Sequence, residues 1–283
     1  MPLLHVVRAY PPHPSCTAPL ILLHGIGGSG RVWDVVVERT SRHRLVVCPD
    51  LLGFGESQKP DAKYDIDDHI AALEEALARE LQGPFEIAGH SLGGVLALEF
   101  AARHTSQCVA VTVLSMPYFA SSTEAEETLC RKWMGRLLLR HVRIGRLLCF
   151  VICQHSHVWQ PLLRAAAGRS VPTEVVTDST KHTFDSFSRT LRACIIDHRV
   201  DGAAEHLSRF RVPLRVVHGT KDSTVPLARA RAFVSRFPDV SFETVEGASH
   251  MAPLSLLEWT ENLLSCLCDR CDCCDPGQCT CQQ

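Results

Sequence analysis

Short apolar runs recur along the chain and predict buried β-strands. Five of them do not alternate with polar residues, which is typical of strands in a parallel sheet covered on both faces. They span residues 20–23, 44–48, 85–88, 109–114 and 214–218. A sixth run, residues 240–245, alternates more, and we expect it to form a strand nearer an edge of the sheet.

Segments with a helical period lie between these runs. Ile70, Leu73, Leu77 and Leu81 recur at spacings of three and four residues and predict a helix over 66–81. Further helices are predicted over 92–103, 227–237 and 254–267. Alternating strands and helices imply an α/β fold with a doubly wound, mostly parallel sheet, in which ligands bind beyond the carboxyl ends of the strands.

The segment between the fourth and fifth strands, residues 117–205, has a different texture. Between residues 128 and 172 there is no acidic residue, and basic residues interleave with apolar ones. The basic residues are Arg131, Lys132, Arg136, Arg140, Arg143, Arg146, Arg164 and Arg169. We interpret the segment as a helical lid inserted into the core domain. One interpretation is a structural one, in which the apolar face packs on the core and the basic face is solvated. The functional alternatives are that the apolar face also lines a lipophilic substrate pocket, or that the segment docks on an anionic membrane surface.

Composition limits the function classes. The chain has 283 residues, of which 46% are hydrophobic, enough for one large core with an inserted subdomain. The net charge of −2 gives no indication of a nucleic-acid partner. No apolar stretch approaches the roughly 20 residues that span a bilayer, and the N-terminus lacks the pattern of a secretory signal, so we expect a cytoplasmic protein. The expected division is core 1–116, lid 117–205, core 206–265 and tail 266–283.

Half of the 14 cysteines lie in the last 18 residues. They are Cys266, Cys268, Cys271, Cys273, Cys274, Cys279 and Cys281. Thiolates are soft ligands for Zn²⁺ or Cu(I), and the C-x-C spacing resembles that of metallothioneins. A metal-binding tail, disulfides, lipidation and a disordered tail without metal all remain open. Without a secretory signal, reduced thiols are favoured over a disulfide framework.

Residues 89–93, Gly-His-Ser-Leu-Gly, stand between the third apolar run and the helix predicted over 92–103. A G-x-S-x-G sequence between a strand and a helix is the context of a nucleophile elbow, which exposes a serine hydroxyl at the end of a sheet. Ser91 is therefore the candidate nucleophile.

A serine hydroxyl needs a base, and the base needs an orienting carboxylate. Asp222 follows the fifth predicted strand and His250 follows the sixth, so both are expected at the same sheet edge as Ser91. Asp197 and Asp201 are rival acids within the lid, and the loop after the fourth strand offers Ser115 instead of an acid. Asp222 is the better choice, although it could also cap the helix that follows.

An oxyanion hole requires two N–H donors. The N–H of Leu92, directly after the candidate nucleophile, is one. We assign the other to Ile26, in the loop His24-Gly25-Ile26-Gly27-Gly28 after the first strand, where glycines permit close approach of the backbone. A plain tight turn is the alternative for this loop.

Several motifs in order resemble those of the α/β-hydrolase superfamily over about residues 15–265. They are HGIGG at 24–28, DLLGFGES at 50–57, GHSLGG at 89–94, HGTKDSTVP at 218–226 and GASH at 247–250. The resemblance implies the α/β-hydrolase fold, a Ser91-Asp222-His250 triad and an inserted lid. Serine at position 91 departs from epoxide hydrolases and haloalkane dehalogenases, which use a carboxylate nucleophile.

The expected activity is hydrolysis of a carboxylic ester or thioester of a small-to-medium lipophilic substrate through an acyl-enzyme. This route needs no cofactor and no catalytic metal. The alternatives are a carbon–carbon bond hydrolase or an acyl transferase on the same scaffold, and a ligand-binding homologue without catalysis. The expected partner is a small acyl substrate. The sequence does not fix the oligomeric state.

Overall fold

The computed structural model describes residues 3–11, 18–42, 44–167, 171 and 173–251. The tail 266–283 and the helix expected over 254–267 lie outside these residues.

Seven strands form one sheet in the described part of the chain. They are β1 (Val6–Ala9), β2 (Leu20–Leu23), β3 (Val46–Pro49), β4 (Phe85–His90), β5 (Cys108–Leu114), β6 (Leu214–Gly219) and β7 (Ser241–Val245). Their spatial order is β1-β3-β2-β4-β5-β6-β7. Only the β1–β3 pair is antiparallel. The mostly parallel sheet is thus confirmed, and β7 lies at an edge as its alternating pattern predicts.

Apolar residues of the central strands pack on both faces of the sheet, and this explains why their sequences do not alternate with polar ones. Ile21 and Leu23 join a large core with the helix Leu92–Arg103, whereas Leu20 and Leu22 join a second core with Trp33 on the opposite face. All four residues of β2 are buried. Strands covered on both sides in this way are typical of doubly wound α/β folds.

The described residues form eleven α-helices. Three precede β5: α1 (Asp34–Thr40), α2 (Ile66–Ala76) and α3 (Leu92–Arg103). Seven lie between β5 and β6: α4 (Ser122–Leu129), α5 (Trp133–Leu139), α6 (Val142–Gln154), α7 (Ser156–Ala167), α8 (Thr173–Asp178), α9 (Phe184–Thr190) and α10 (Asp201–Arg209). The last, α11 (Leu227–Arg236), joins β6 to β7. We call the segment between β5 and β6 the insertion.

Two elements differ from the sequence prediction. Strand β1 was not expected; it has only four residues and none is buried, so it lacks the apolar run that marked the other strands. Helix α2 ends at Ala76 rather than at residue 81, and a 3-10 turn over Glu80–Gln82 follows. Leu77 is fully buried and Leu81 packs on the same core, so the apolar period continues beyond the end of the α-helix.

Candidate active site

Ser91 lies between the end of β4 and the start of α3 in a strained backbone conformation. Its φ of 53° and ψ of −118° are rarely adopted by a residue with a side chain. The flanking glycines permit this turn, because a Cβ at Gly89 would collide with the Gly93 carbonyl and one at Gly93 with the Leu23 carbonyl. This sharp strand-to-helix turn has the form of a nucleophile elbow.

The structure brings Ser91, Asp222 and His250 together. The Nε2 atom of His250 lies 3.1 Å from Ser91 Oγ, and its Nδ1 atom lies 2.8 Å from Asp222 Oδ2. Because the carboxylate can only accept, the hydrogen-bond network assigns the His250 proton to Nδ1 and leaves the Nε2 lone pair facing the Ser91 hydroxyl. This arrangement allows His250 to take a proton from Ser91.

The loop after β6 holds the Asp222 carboxylate, whose side chain is fully buried. Its Oδ1 accepts 2.8 Å hydrogen bonds from the N–H groups of Thr224 and Val225. Burial by itself raises the pKa of this carboxyl, but the hydrogen bond and positive charge from His250 and the two backbone N–H groups outweigh it, and the pKa is lowered. Asp222 is therefore ionised and stabilises positive charge on His250.

The rival acid Asp201 is bound elsewhere. It accepts a 3.1 Å hydrogen bond from Tyr118 and lies 3.1 Å from the Arg236 guanidinium. Its carboxylate joins the first turn of α10 to these two side chains, which leaves Asp222 as the acid on His250.

His90, in the middle of the Gly-His-Ser-Leu-Gly sequence, contacts the backbone of His250. Its Nε2–H donates a 2.7 Å hydrogen bond to the His250 carbonyl, and the two imidazole rings lie 4.9 Å apart. Burial lowers the pKa of His90 to about 3, so the ring is neutral. Sequence reasoning did not find this contact, although the position beside Ser91 was a possible signal.

The loop after β2 lies against the elbow. A Cβ at Gly25 would be 3.3 Å from the Ser91 Cβ, and the Gly28 N–H donates to the Gly25 carbonyl to close a tight turn around Ile26 and Gly27. The Leu92 N–H belongs to the first residue of α3, where helix N–H groups have no partner within the helix. The two backbone segments assigned to the oxyanion hole thus flank the Ser91 side chain.

His24 fixes the start of the same loop. Its Nε2 accepts a hydrogen bond from the Leu51 N–H at 2.9 Å, so its Nδ1 carries the proton and donates to the Gly25 carbonyl at 2.8 Å. Burial lowers the pKa of His24 and keeps the ring neutral. A neutral imidazole can make both bonds at once, whereas a charged one would lose the bond from Leu51.

The insertion contacts three loops that surround the strand ends. Ser29, after β2, donates a 2.7 Å hydrogen bond to Asp178. Ser186 lies 3.0 Å from the Gly53 carbonyl in the loop after β3. Lys132 donates a 3.0 Å hydrogen bond to Thr224, two residues after Asp222. The insertion therefore contacts the loops at the carboxyl edge of the sheet, and Ser91 is only 6% exposed.

The tail cysteines cannot be placed, because they lie outside the described residues. In the described part of the chain, three side chains with metal-ligating atoms come together in the insertion: Cys149, Cys153 and His182. None of them belongs to the group of Ser91, Asp222 and His250. Among the helices of the described residues, none combines the length and apolar character needed to cross a membrane.

Comparisons with known proteins agree with this architecture. Residues 18–135 match a family model described as the alpha/beta hydrolase fold. A solved esterase from Exiguobacterium antarcticum superposes with a TM-score of 0.69 at 16% identity, over 93% of this chain and 94% of the esterase. At this identity the structural likeness concerns the fold alone.

Two curated relatives come from Arabidopsis thaliana. The chain is 32% identical to a protein named probable lysophospholipase BODYGUARD 4 over 83% of its own length and 60% of the relative. It is 28% identical to probable lysophospholipase BODYGUARD 5 over 82% of its length and 57% of that protein. The chain thus spans less than two thirds of the length of these two relatives.

Proposed function

We propose that the chain, which has the α/β-hydrolase fold, is a serine hydrolase that cleaves a carboxylic ester or thioester through an acyl-enzyme. The observation that carries the proposal is the pair of hydrogen bonds through His250, 3.1 Å to Ser91 and 2.8 Å to Asp222. No cofactor is needed for this route. The reaction begins when His250 Nε2 takes the Ser91 proton and Oγ attacks the acyl carbon.

The remaining steps follow from the same three side chains. His250, now positively charged and held by the ionised Asp222, returns its proton to the leaving oxygen or sulfur. Water then attacks the acyl-enzyme, with His250 again acting as base, and Ser91 is restored. Throughout, charge develops on the acyl oxygen, and we assign its stabilisation to the N–H groups of Ile26 and Leu92. Removal of one such donor typically costs about 100- to 1,000-fold in kcat.

We infer that the substrate is an ester with a single acyl chain and a polar head group. The names of the two Arabidopsis relatives, probable lysophospholipases, support this class. A substrate of this kind gathers at lipid surfaces, and the insertion carries exposed apolar side chains on two successive helices: Ile144, Leu147, Leu148 and Phe150 on α6, and Val158 and Leu162 on α7. Such a surface suits an amphiphile better than a small polar ester.

The insertion acts as the lid in this proposal. Its hydrogen bonds to the loops after β2, β3 and β6 support that role, because the first of these loops carries Ile26 and the last carries Asp222. The low exposure of Ser91 supports a lid that opens to admit the acyl chain. Exclusion of water from the closed site strengthens the electrostatic stabilisation of the oxyanion.

A fluorophosphonate probe tests the nucleophile directly. We expect it to label Ser91 in the wild-type protein, and we expect Ser91→Ala to remove both the label and hydrolysis of p-nitrophenyl esters, a loss of roughly a million-fold in kcat. Ser235→Ala is the matched control, because Ser235 lies exposed on α11 and bonds only the Ala232 carbonyl within the described residues. Labelling or turnover that survives in Ser91→Ala would rule out this nucleophile.

The substrate class is tested separately. A panel of p-nitrophenyl esters of increasing chain length and lysophosphatidylcholine would be compared by kcat/KM. The proposed class predicts preference for long acyl chains and release of free fatty acid from the lysophospholipid. Preference for acetate or butyrate esters, with no release of fatty acid, would contradict it while leaving the nucleophile assignment intact.

A further inference from the structure

Three side chains that can bind a metal come together in the insertion. Two are cysteines of α6, and the third is a histidine in the segment before α9. Cys149 and Cys153 are four residues apart and therefore lie on the same helix face. Their Sγ atoms are 3.6 Å apart, and Cys153 Sγ lies 3.9 Å from His182 Nε2. All three ligand atoms lie within 4.8 Å of one another.

Two of these separations are close to those of a tetrahedral zinc site. Zn–S bonds of about 2.3 Å and Zn–N bonds of about 2.0–2.1 Å, at tetrahedral angles, place two sulfurs about 3.8 Å apart and a sulfur about 3.5 Å from a nitrogen. The observed separations differ from these by only a few tenths of an ångström for two of the three pairs. Side-chain rotations alone can therefore close the site around an ion.

Other contacts hold the two ligand-bearing segments in place. Arg146 of α6 makes two 2.8 Å hydrogen bonds to the Asp185 carboxylate of α9, and its guanidinium lies over the Phe184 ring. A Cβ at Gly145 would be 3.3 Å from the Phe184 ring, so α6 approaches α9 closely. The imidazole of His182 packs against Phe187, with ring centroids 5.0 Å apart. The ligands are thus brought together by packing that does not depend on an ion.

We propose that Cys149, Cys153 and His182 form a Zn²⁺ site that fastens α6 to the segment preceding α9, with a water molecule as fourth ligand. Two thiolates and one imidazole are ligands that Zn²⁺ prefers. The triad does not take part, so the site is distinct from the one at Ser91. It is also distinct from the cysteine-rich tail, which contributes none of the three ligands.

The two thiols form a hydrogen-bonded pair. The Cys153 S–H donates to the Cys149 sulfur, and this bond, with a further contribution from His182, lowers the pKa of Cys149. The same bond, together with burial, raises the pKa of Cys153. Zn²⁺ binds thiolate rather than thiol, so we expect zinc binding to release protons from the two cysteines.

The site lies close to the loop assigned to the oxyanion hole. Phe187, which contacts the His182 ring, also approaches Gly27, where a Cβ would be 3.0 Å from the phenyl ring. A bound ion would therefore restrain the part of the insertion that rests on the loop containing Ile26. We expect zinc to raise the Tm of the protein, because it binds the folded chain at a preformed site.

Cobalt substitution tests the site in the full-length chain. The seven tail cysteines would first be changed to serine, so that only ligands outside the tail remain. Titration with Co²⁺ should then give thiolate-to-metal absorption that saturates at one equivalent and is displaced by Zn²⁺. Cys153→Ser and His182→Phe should remove this signal; the phenyl ring retains the packing against Phe187. Cys130→Ser, which changes a buried cysteine at the end of α4, should leave the signal unchanged.

A second measurement uses the chain with its tail intact, in case the seven substitutions disturb folding. Iodoacetamide modification of Cys149 would be followed by peptide mass spectrometry with and without Zn²⁺ in excess over the tail thiols. Protection of Cys149 in the wild-type chain, and its loss in His182→Phe, would support the site. Equal modification with and without zinc, or a cobalt signal that survives Cys153→Ser, would overturn the proposal.

Discussion

Two histidines beside the candidate nucleophile, His24 and His90, donate hydrogen bonds to backbone carbonyls rather than to side chains. His24 holds the Gly25 carbonyl, and His90 holds the carbonyl of His250. Both are buried and neutral, since burial lowers the pKa of each. They are therefore suited to positioning backbone rather than to transferring protons. In the proposed mechanism, these two histidines hold the backbone of the site and transfer no proton.

His90 should act as a positioning residue for His250. We expect His90→Ala to lower kcat on the order of 100-fold with little change in KM, because loss of the 2.7 Å bond lets the His250 backbone move relative to Ser91. His90→Gln can restore the donor and should recover part of the loss. Steady-state kinetics on a p-nitrophenyl ester would measure this difference. If the two variants lose kcat equally, or if the loss appears in KM, His90 does not position His250.

Asp222 should contribute to stability in a pH-dependent way. Its pKa is lowered in the folded protein, so its stabilising effect is present above the unfolded pKa of about 3.9 and is lost as pH falls through the folded value. The Tm difference between wild type and Asp222→Asn should therefore be largest near neutral pH and shrink in acid. Thermal unfolding over a pH series would measure it, and a difference that stays constant with pH would contradict the assignment.

At the scale of elements, Ser186 of the insertion makes two polar contacts, one with a loop outside the insertion and one within it. Its hydroxyl lies 3.0 Å from the Gly53 carbonyl, and it completes a capping box with Thr183 at the start of α9. Ser186 is fully buried. One side chain therefore both begins a helix and ties it to the loop after β3.

Removal of the Ser186 hydroxyl should destabilise the protein measurably. We expect Ser186→Ala to lower the free energy of unfolding by about 1–2 kcal/mol, because a helix cap and a buried hydrogen bond are lost together. Ser188→Ala, in the same helix and only half-buried, should change it by less than about 0.5 kcal/mol. Urea denaturation followed by circular dichroism would compare them. Equal effects of the two substitutions would mean that the Ser186 contacts do not hold α9.

At the scale of the whole molecule, the sequence predicted the parts of the fold that bury continuous apolar runs. Strands β2 to β6 lie in the sheet interior and carry that pattern, whereas β1 pairs only with β3 and none of its residues is buried. The length of α2 was overestimated because Leu77 and Leu81 continue the apolar period beyond the end of the helix. Prediction thus failed where a neighbour in space, not local pattern, determines the element.

The residues of the candidate site also divide into predictable and unpredictable ones. Ser91, Asp222 and His250 could be proposed from the sequence because each lies in a turn or loop after a strand, and the carboxyl ends of parallel strands meet at one edge of the sheet. The contact of His90 with the His250 carbonyl joins residues 160 apart in the chain. Likewise, Cys153 lies in α6 and His182, 29 residues later, lies in the loop before α9. No spacing rule connects such pairs, so only the folded chain reveals them.

The exposed apolar surface of α6 and α7 should bind lipid vesicles, as the proposed substrate class requires. Leu147 is 63% and Phe150 59% exposed, and the basic residues Arg140 and Arg143 are exposed beside them. Apolar burial in the interface and attraction to anionic head groups should act together.

We expect Phe150→Ser to weaken binding to phosphatidylserine-containing vesicles about tenfold, measured by co-sedimentation. Phe210→Ser is the control: it removes a ring of similar exposure at the end of α10 and should not change vesicle binding. Binding should also fall with added salt and with purely zwitterionic vesicles. If both phenylalanine variants bind as the wild type does, α6 is not the lipid-facing surface, and the acyl substrate must reach Ser91 from solution.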